Sequence, residues 1–368
     1  MHPTHKIFFL VALLTLALTT IATSLTYATL GHFTSTQKDI FLAFGIIAPI
    51  FLVITFISAR KSSSVATRVF IIFSNTLAGI YFYLILGMPV VLALMAVEKI
   101  SGVIWNWELI TTLIFFSAII FGIIGHIQAL LVRKVFYTVR TPHLPENWYT
   151  GKVALVSDLH FGLINQHHFA EYILGIIRSE KPTTLFIAGD FFDGPDFDLT
   201  HVTNSWKKLA GEMPIFYAPG NHEEYGPYQK FMDTLREIGI TVLQNESTLH
   251  NDAHIIGYKY HAKHQKEDFL QVTEKLNAEK KPFIAINHAP LFQKELAESG
   301  AILTLSGHTH RGQFWPFRYI TKAIYGIYHT GMNTHENLTQ ITSRGAGTAG
   351  TAMRLFNQPE VIFINFEK

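Results

Sequence analysis

Seven residues in the second half of this 368-residue chain have the types and spacing of metal ligands: Asp158, His160, Asp190, Asn221, His288, His308 and His310. Each stands just beyond a short apolar run rich in β-branched residues. The runs at 153–157, 184–188, 215–218, 283–286 and 302–305 lead into Asp158-Leu159-His160, Gly189-Asp190, Gly220-Asn221-His222-Glu223, Asn287-His288 and Gly307-His308-Thr309-His310. Such runs predict strands, and open α/β sheets bind their ligands beyond the carboxyl ends of strands. Glycine just ahead of three of the groups (Gly189, Gly220, Gly307) permits a sharp turn and a close backbone approach.

Carboxylate, amide oxygen and imidazole suit Mn, Fe or Zn rather than a soft-metal site, and the chain has no cysteine. Seven ligands exceed what one tetrahedral zinc takes; they suit two ions sharing a carboxylate. Two ions about 3.5–4 Å apart clamp the attacking and leaving oxygens of an in-line displacement at phosphorus. Side chains two apart on a strand share a face, so both members of each Asp-x-His or His-x-His pair can serve one centre.

Asp158-x-His160, Gly189-Asp190-x-x-Asp193, Gly220-Asn221-His222-Glu223, His288 and Gly307-His308-x-His310 together resemble the calcineurin-like metallophosphoesterases over roughly residues 135–368. His308-Thr309-His310-Arg311-Gly312-Gln313, Ser343-Arg344-Gly345-Ala346-Gly347-Thr348, Arg354 and Pro359-Glu360 are similar to the membrane-associated bacterial branch of that superfamily, with Arg311 where glycine is usual. The resemblance implies an α/β domain with two mixed sheets sandwiched between helices, and a metal-dependent phosphoric-ester hydrolase holding two divalent ions, Mn favoured over Fe or Zn. It implies that Asp158, His160, Asp190 and His310 bind the first ion. Asp190, Asn221, His288 and His308 would bind the second, with Asp190 as the bridge. His222 would be the general acid or transition-state stabiliser, and Asp193 and Glu223 would orient ligands or backbone. Arg311, Arg344 and Arg354 carry planar guanidinium groups that match phosphate.

The elements that must position this site are only part of the chain. Residues 1–132 hold nine of the 56 charged side chains, and the remainder holds 47. The expected organisation is a transmembrane domain at 1–134 and the metallophosphoesterase domain at 135–368. Four uncharged apolar runs, near 7–30, 40–59, 69–97 and 109–132, each have the roughly 20 residues that a helix needs to cross a bilayer. Trp105 and Trp107 suit an interfacial belt. His126, inside the fourth run, is expected to bond a neighbouring helix.

Overall charge is 15% of residues, with a net charge of +2. That balance excludes a disordered chain and gives no reason to expect a nucleic-acid partner. The absence of cysteine excludes a disulfide scaffold and a thiolate metal site. Gly345 and Gly347 are not followed by the lysine of a phosphate-binding P-loop. The partners expected are the lipid bilayer and a phosphoester, with a lipid-linked substrate such as UDP-2,3-diacylglucosamine favoured. The alternative is a membrane signalling protein with cyclic-nucleotide or general phosphodiesterase activity.

Basic residues set the orientation. Arg60, Lys61 and Arg68 lie between the second and third runs, and Arg133, Lys134 and Arg140 follow the fourth. The positive-inside rule places both termini and the catalytic domain at the cytoplasmic face of the inner membrane. A reporter fused after Lys368 should therefore behave as cytoplasmic. A fusion active only in the periplasm would contradict the assignment.

Overall fold

A computed structural model describes residues 18–30, 35–59, 64–194, 198–260, 266–278 and 281–368. The chain divides into two compact units. One runs to His126 and takes in Gly350–Met353; the other comprises Ile127–Ala349 and Arg354–Lys368.

The first unit is helical: α1 (18–30), α2 (Ser35–Ala59), α3 (Val65–Ser101) and most of α4 (Trp107–Leu130). Ser64 caps α3 by accepting from Thr67 N, and Gly102 ends it in the left-handed conformation with φ 71°. Ser24 Oγ and Tyr81 Oη lie 2.7 Å apart, and Tyr27 Oη donates to Leu84 O, so buried hydroxyls are paired between α1 and α3. The expectation of four spans is corrected to two. Among the described residues, only α3 and α4 are long and apolar enough to cross a membrane. The run at 7–30 lies outside the described residues up to 17, and its described part makes only about 20 Å of helix. The run at 40–59 lies in α2. His126 is corrected as well: its Nδ1 lies 3.0 Å from Ala352 O, a carbonyl of Gly350–Met353, not of a neighbouring helix.

The second unit contains two six-stranded mixed sheets. The first orders β1 (Arg133–Arg140), β12 (Glu360–Glu367), β2 (Lys152–Val156), β3 (Thr184–Ala188), β4 (Ile215–Ala218) and β5 (Thr241–Val242). Only the β12–β2 pairing is antiparallel. The second orders β10 (Gly331–His335), β11 (Leu338–Thr342), β9 (Ala301–Ser306), β8 (Phe283–Ile286), β7 (Ala253–Gly257) and β6 (Glu246–His250). Its two outer pairings are antiparallel and its inner ones parallel.

Strand alternation builds the layers. Val153, Leu155, Phe186, Ala188 and Phe216 form one cluster with Ile255, Ile284, Ile286, Leu303 and Leu305 of the other sheet. Ala154, Val156, Leu185, Ile187 and Tyr217 point the other way. They pack with Ile173, Leu174 and Ile177 of α5 (His167–Ser179), Trp206 and Leu209 of α6 (Thr200–Ala210), and Met232 and Leu235 of α7 (Tyr228–Glu237). On the far side of the second sheet, Ile256, Phe283 and Ala285 pack with Phe269 of α8 (Lys266–Leu276) and Leu296 of α9 (Gln293–Glu298). Burial on both faces fits the continuous apolar runs of the parallel strands. It also fixes where β2, β3, β4, β8 and β9 release the chain.

Candidate metal centre

β2 stops at Val156, and Asp158 and His160 follow in a loop. β3 delivers Asp190, β4 delivers Asn221, β8 delivers His288, and β9 delivers His308 and His310. Asp158, His160, Asp190, His308 and His310 all have φ between 46° and 68°. Left-handed backbone at residues other than glycine costs about 1–3 kcal/mol each and persists where the surroundings over-determine it. Glycine is required at two neighbouring positions. A Cβ on Gly220 would strike Asp190 Oδ1, and one on Gly307 would strike Asp158 Oδ2.

Three groups of ligand atoms converge, each within 4.8 Å: Asp158, His160 and His310; Asp190, His288 and His308; and His160, Asp193 and His222. In the first, His160 Nε2 lies 3.0 Å and Asp158 Oδ1 3.2 Å from His310 Nε2. In the second, Asp190 Oδ2 lies 3.2 Å from His288 Nε2. The same oxygen lies 3.9 Å from His160 Nε2, so Asp190 faces both groups. Asn221 Oδ1 is 2.8 Å from His308 Nδ1. His308 and His310 join different groups. Both residues lie beyond the last residue of β9 and have positive φ, so the strand period no longer applies.

The donor set fits a metal. His288 Nδ1 lies 2.7 Å from Ala188 O, and a carbonyl can only accept, so Nδ1 carries the proton. Nε2 then points its lone pair at the Asp190 carboxylate, and it has no hydrogen-bond partner although buried. Acceptor faces acceptor, and only a cation, a proton or a metal, can sit between them. Burial pushes His288 down, but the Asp190 charge outweighs it and holds a proton there up to about 9. Burial pushes His160 and His308 down to about 4, which leaves both rings neutral, as metal ligation requires. Burial pushes Asp158 up, but the charge and hydrogen bond of His310 outweigh it and keep the carboxyl ionised. His288 does the same for Asp190.

Around these groups, Glu223 is buried and ties two strand ends together. Its carboxylate accepts from the backbone N–H groups of Asp190, Phe192 and Gly220 at 3.2, 3.0 and 2.8 Å. Burial and the Asp190 charge push it up to about 7 against those amides. His222 Nδ1 donates to Asp193 Oδ1 at 2.9 Å, and His222 N donates to Asp190 Oδ1. Burial pushes the His222 ring down, but the Asp193 bond and the Asp190 charge outweigh it and hold it at about 8.

The arginines separate. Arg354 is fully buried and donates to Arg344 O, Gly347 O and His310 Nδ1, the last at 2.9 Å. Through that bond it holds the His310 ring, and none of its own surface is exposed. Nothing in the sequence distinguishes it from a surface arginine. Arg344 N donates to buried Glu360, and its Nε lies 3.6 Å from that carboxylate. Arg133 pairs with the same carboxylate at 2.8 Å. The Arg311 guanidinium makes no hydrogen bond among the described residues, and its Nε is buried without a partner. Tyr260 and Tyr325, not singled out in the sequence, set their rings 5.6 and 6.0 Å from the ring of His308.

Residues 151–312 match the family described as calcineurin-like phosphoesterase. An uncharacterized metallophosphoesterase of Helicobacter pylori (strain ATCC 700392 / 26695) is 31% identical over 219 residues, 58% of this chain and 59% of that protein. One from Aquifex aeolicus is 29% identical over 266 residues, 68% of this chain and 98% of that protein. The zebrafish (Danio rerio) protein named transmembrane protein with metallophosphoesterase domain is 22% identical over 66% of this chain and 58% of its own length. The chain thus spans 59% of the length of its Helicobacter relatives.

Asp190 is the side chain that faces both ligand groups. Asp190→Ala should lower bound metal, measured by mass spectrometry of the purified full chain, below that of the wild type, and abolish phosphoesterase activity. Unchanged metal content would contradict a shared carboxylate.

Proposed function

We propose that this chain, whose residues 151–312 match the calcineurin-like phosphoesterases, is a membrane-anchored, metal-dependent hydrolase of a phosphodiester or pyrophosphate. The observation that carries the reading is the place of Asp190 between two ligand groups, with one oxygen 3.2 Å from His288 and 3.9 Å from His160. Two divalent ions held there, Mn²⁺ favoured, supply Lewis acidity to a phosphorus centre and charge for its oxygens. Asp158, His160 and His310 hold one, Asn221, His288 and His308 hold the other, and Asp190 serves both.

His222 works beside the ions. The Asp193 carboxylate takes its Nδ1 proton in a hydrogen bond, which fixes the ring and leaves Nε2 to protonate the leaving oxygen. A ring held at about 8 carries that proton at neutral pH. Glu223 holds the Asp190 and Gly220 backbones in register. Arg311 and Arg344 offer cationic charge to the phosphate oxygens. Two helices apolar enough for a bilayer favour a substrate that resides there, such as UDP-2,3-diacylglucosamine, reached from the cytoplasmic face.

The test separates proton transfer from metal binding. His222→Ala should keep the metal content of the wild type and lose roughly 10²–10⁴ in kcat. The loss should shrink for a nitrophenyl ester or a pyrophosphate, whose leaving groups need little protonation, and be largest for an alkyl phosphodiester. An emptied metal site, or an unchanged kcat with a poor leaving group, would contradict the role of His222.

A further inference from the structure

Beyond the ligand histidines the chain forms a helix that the catalytic reading does not use. α10 (Arg318–Tyr325) buries none of its residues and continues into a short turn, Gly326–His329. Ile320, Ile324 and Ile327 are spaced i, i+4 and i+7 and are 53%, 53% and 57% exposed. Tyr319 and Trp315 extend the apolar surface at 54% and 39% exposure. Burial in a core does not explain these side chains: Ile320 and Ile324, one turn apart, mark an apolar face of α10, and Ile327 lies in the turn beyond Gly326, where the helix ends with φ 60°. Arg318 and Lys322 form a second, basic line at i and i+4 on the same helix.

The surrounding charge is mostly cationic. Arg318 and Arg133 act on Arg311 as like charges, and Arg311, Lys322, Arg344 and Arg318 act together on His329. The buried carboxylate of Glu360 is shared by Arg133 and Arg344. Arg133 follows the last residue of α4, Leu130, by three positions, so this cationic region begins at the end of an apolar helix. At the other end of α10, Tyr325 packs its ring on His308, and Thr309 Oγ1 donates to His329 O. The apolar surface is therefore continuous with the rim of the metal centre.

We propose that α10 and the turn after it dock on an anionic lipid bilayer, with Ile320, Ile324, Ile327 and Trp315 in the acyl boundary and Arg318, Lys322 and Arg311 against the headgroups. Short amphipathic helices with this division lie in the interface plane, and basic side chains near an anionic leaflet add attraction. Charge complementarity selects the bilayer over a second copy of the chain, which would oppose one cationic surface to another. The inference rests on the membrane-anchored reading. It adds that the rim of the metal centre meets the lipid surface, so that a headgroup phosphate can enter without leaving the bilayer.

The natural absence of cysteine permits single nitroxide labels. Full chains carrying Ile324→Cys, Ile320→Cys or, on the exposed side of α4, Ile120→Cys would be placed in phosphatidylcholine–phosphatidylglycerol nanodiscs. Their collision rates with oxygen and with a water-soluble nickel chelate would be compared. Labels at 320, 324 and 120 should all favour oxygen. Adding Arg318→Glu and Lys322→Glu should shift only 320 and 324 toward the nickel chelate. Nickel access at 320 and 324 with oxygen preference at 120 would overturn the docking and leave the anchor standing. Nickel access at all three would overturn the anchor as well. Spin–spin broadening between labels at 324 would assign the face to a second copy and overturn the proposal.

Discussion

The structure turns on the cost of burying like-charged carboxylates together. Asp158 and Asp190 are fully shielded from solvent, and Asp193 joins them through His160 and His222. Carboxylates in that setting need compensation or they lose their charge. Four buried or nearly buried imidazoles and the lone-pair geometry of His288 supply partners for cations, not a set of neutral hydrogen bonds. The two sheets can be read as the frame that makes this unfavourable cluster unavoidable. Continuous apolar strands, buried on both faces, end at one place and leave the ligands no alternative.

The cluster is held by backbone as much as by side chains. Five ligand residues are in the left-handed region, where only a rigid frame keeps them. Glu223 fastens the turns after β3 and β4 to each other through three backbone N–H groups. Asp158 accepts from His308 N, which links the turns after β2 and β9 across the two sheets. Arg354 fixes the His310 ring from behind with a guanidinium that has no exposed surface. Positioning is thus spread over groups that touch no substrate.

Much of this was legible in the sequence, for a physical reason. Parallel strands buried on both faces read as uninterrupted apolar runs, and the strands at 184–188, 215–218 and 283–286 have the boundaries read from the sequence. The ligand types also stood out, because buried carboxylate and imidazole after apolar runs have few other uses. Strand geometry does not carry past the end of β9. His308 and His310 part company because the backbone turns left-handed at both. The role of Arg354 was not legible, because an arginine that bonds carbonyls and a ring nitrogen looks the same in sequence as one that faces phosphate. The helix after Trp315 was not foreseen, although Ile320 and Ile324 one turn apart, with Arg318 and Lys322 beside them, carry its period. Hydropathy marked four runs, and among the described residues two helices, α3 and α4, are long and apolar enough to cross a membrane.

The central claim is that two divalent ions share the Asp190 carboxylate. Anomalous diffraction from crystals of the full chain equilibrated with Mn²⁺, collected on either side of the manganese edge, tests it most directly. The account predicts two peaks about 3.5–4 Å apart, one beside Asp158, His160 and His310, the other beside Asn221, His288 and His308, with Asp190 between them. A single peak, or two peaks of which neither touches Asp190, would contradict it.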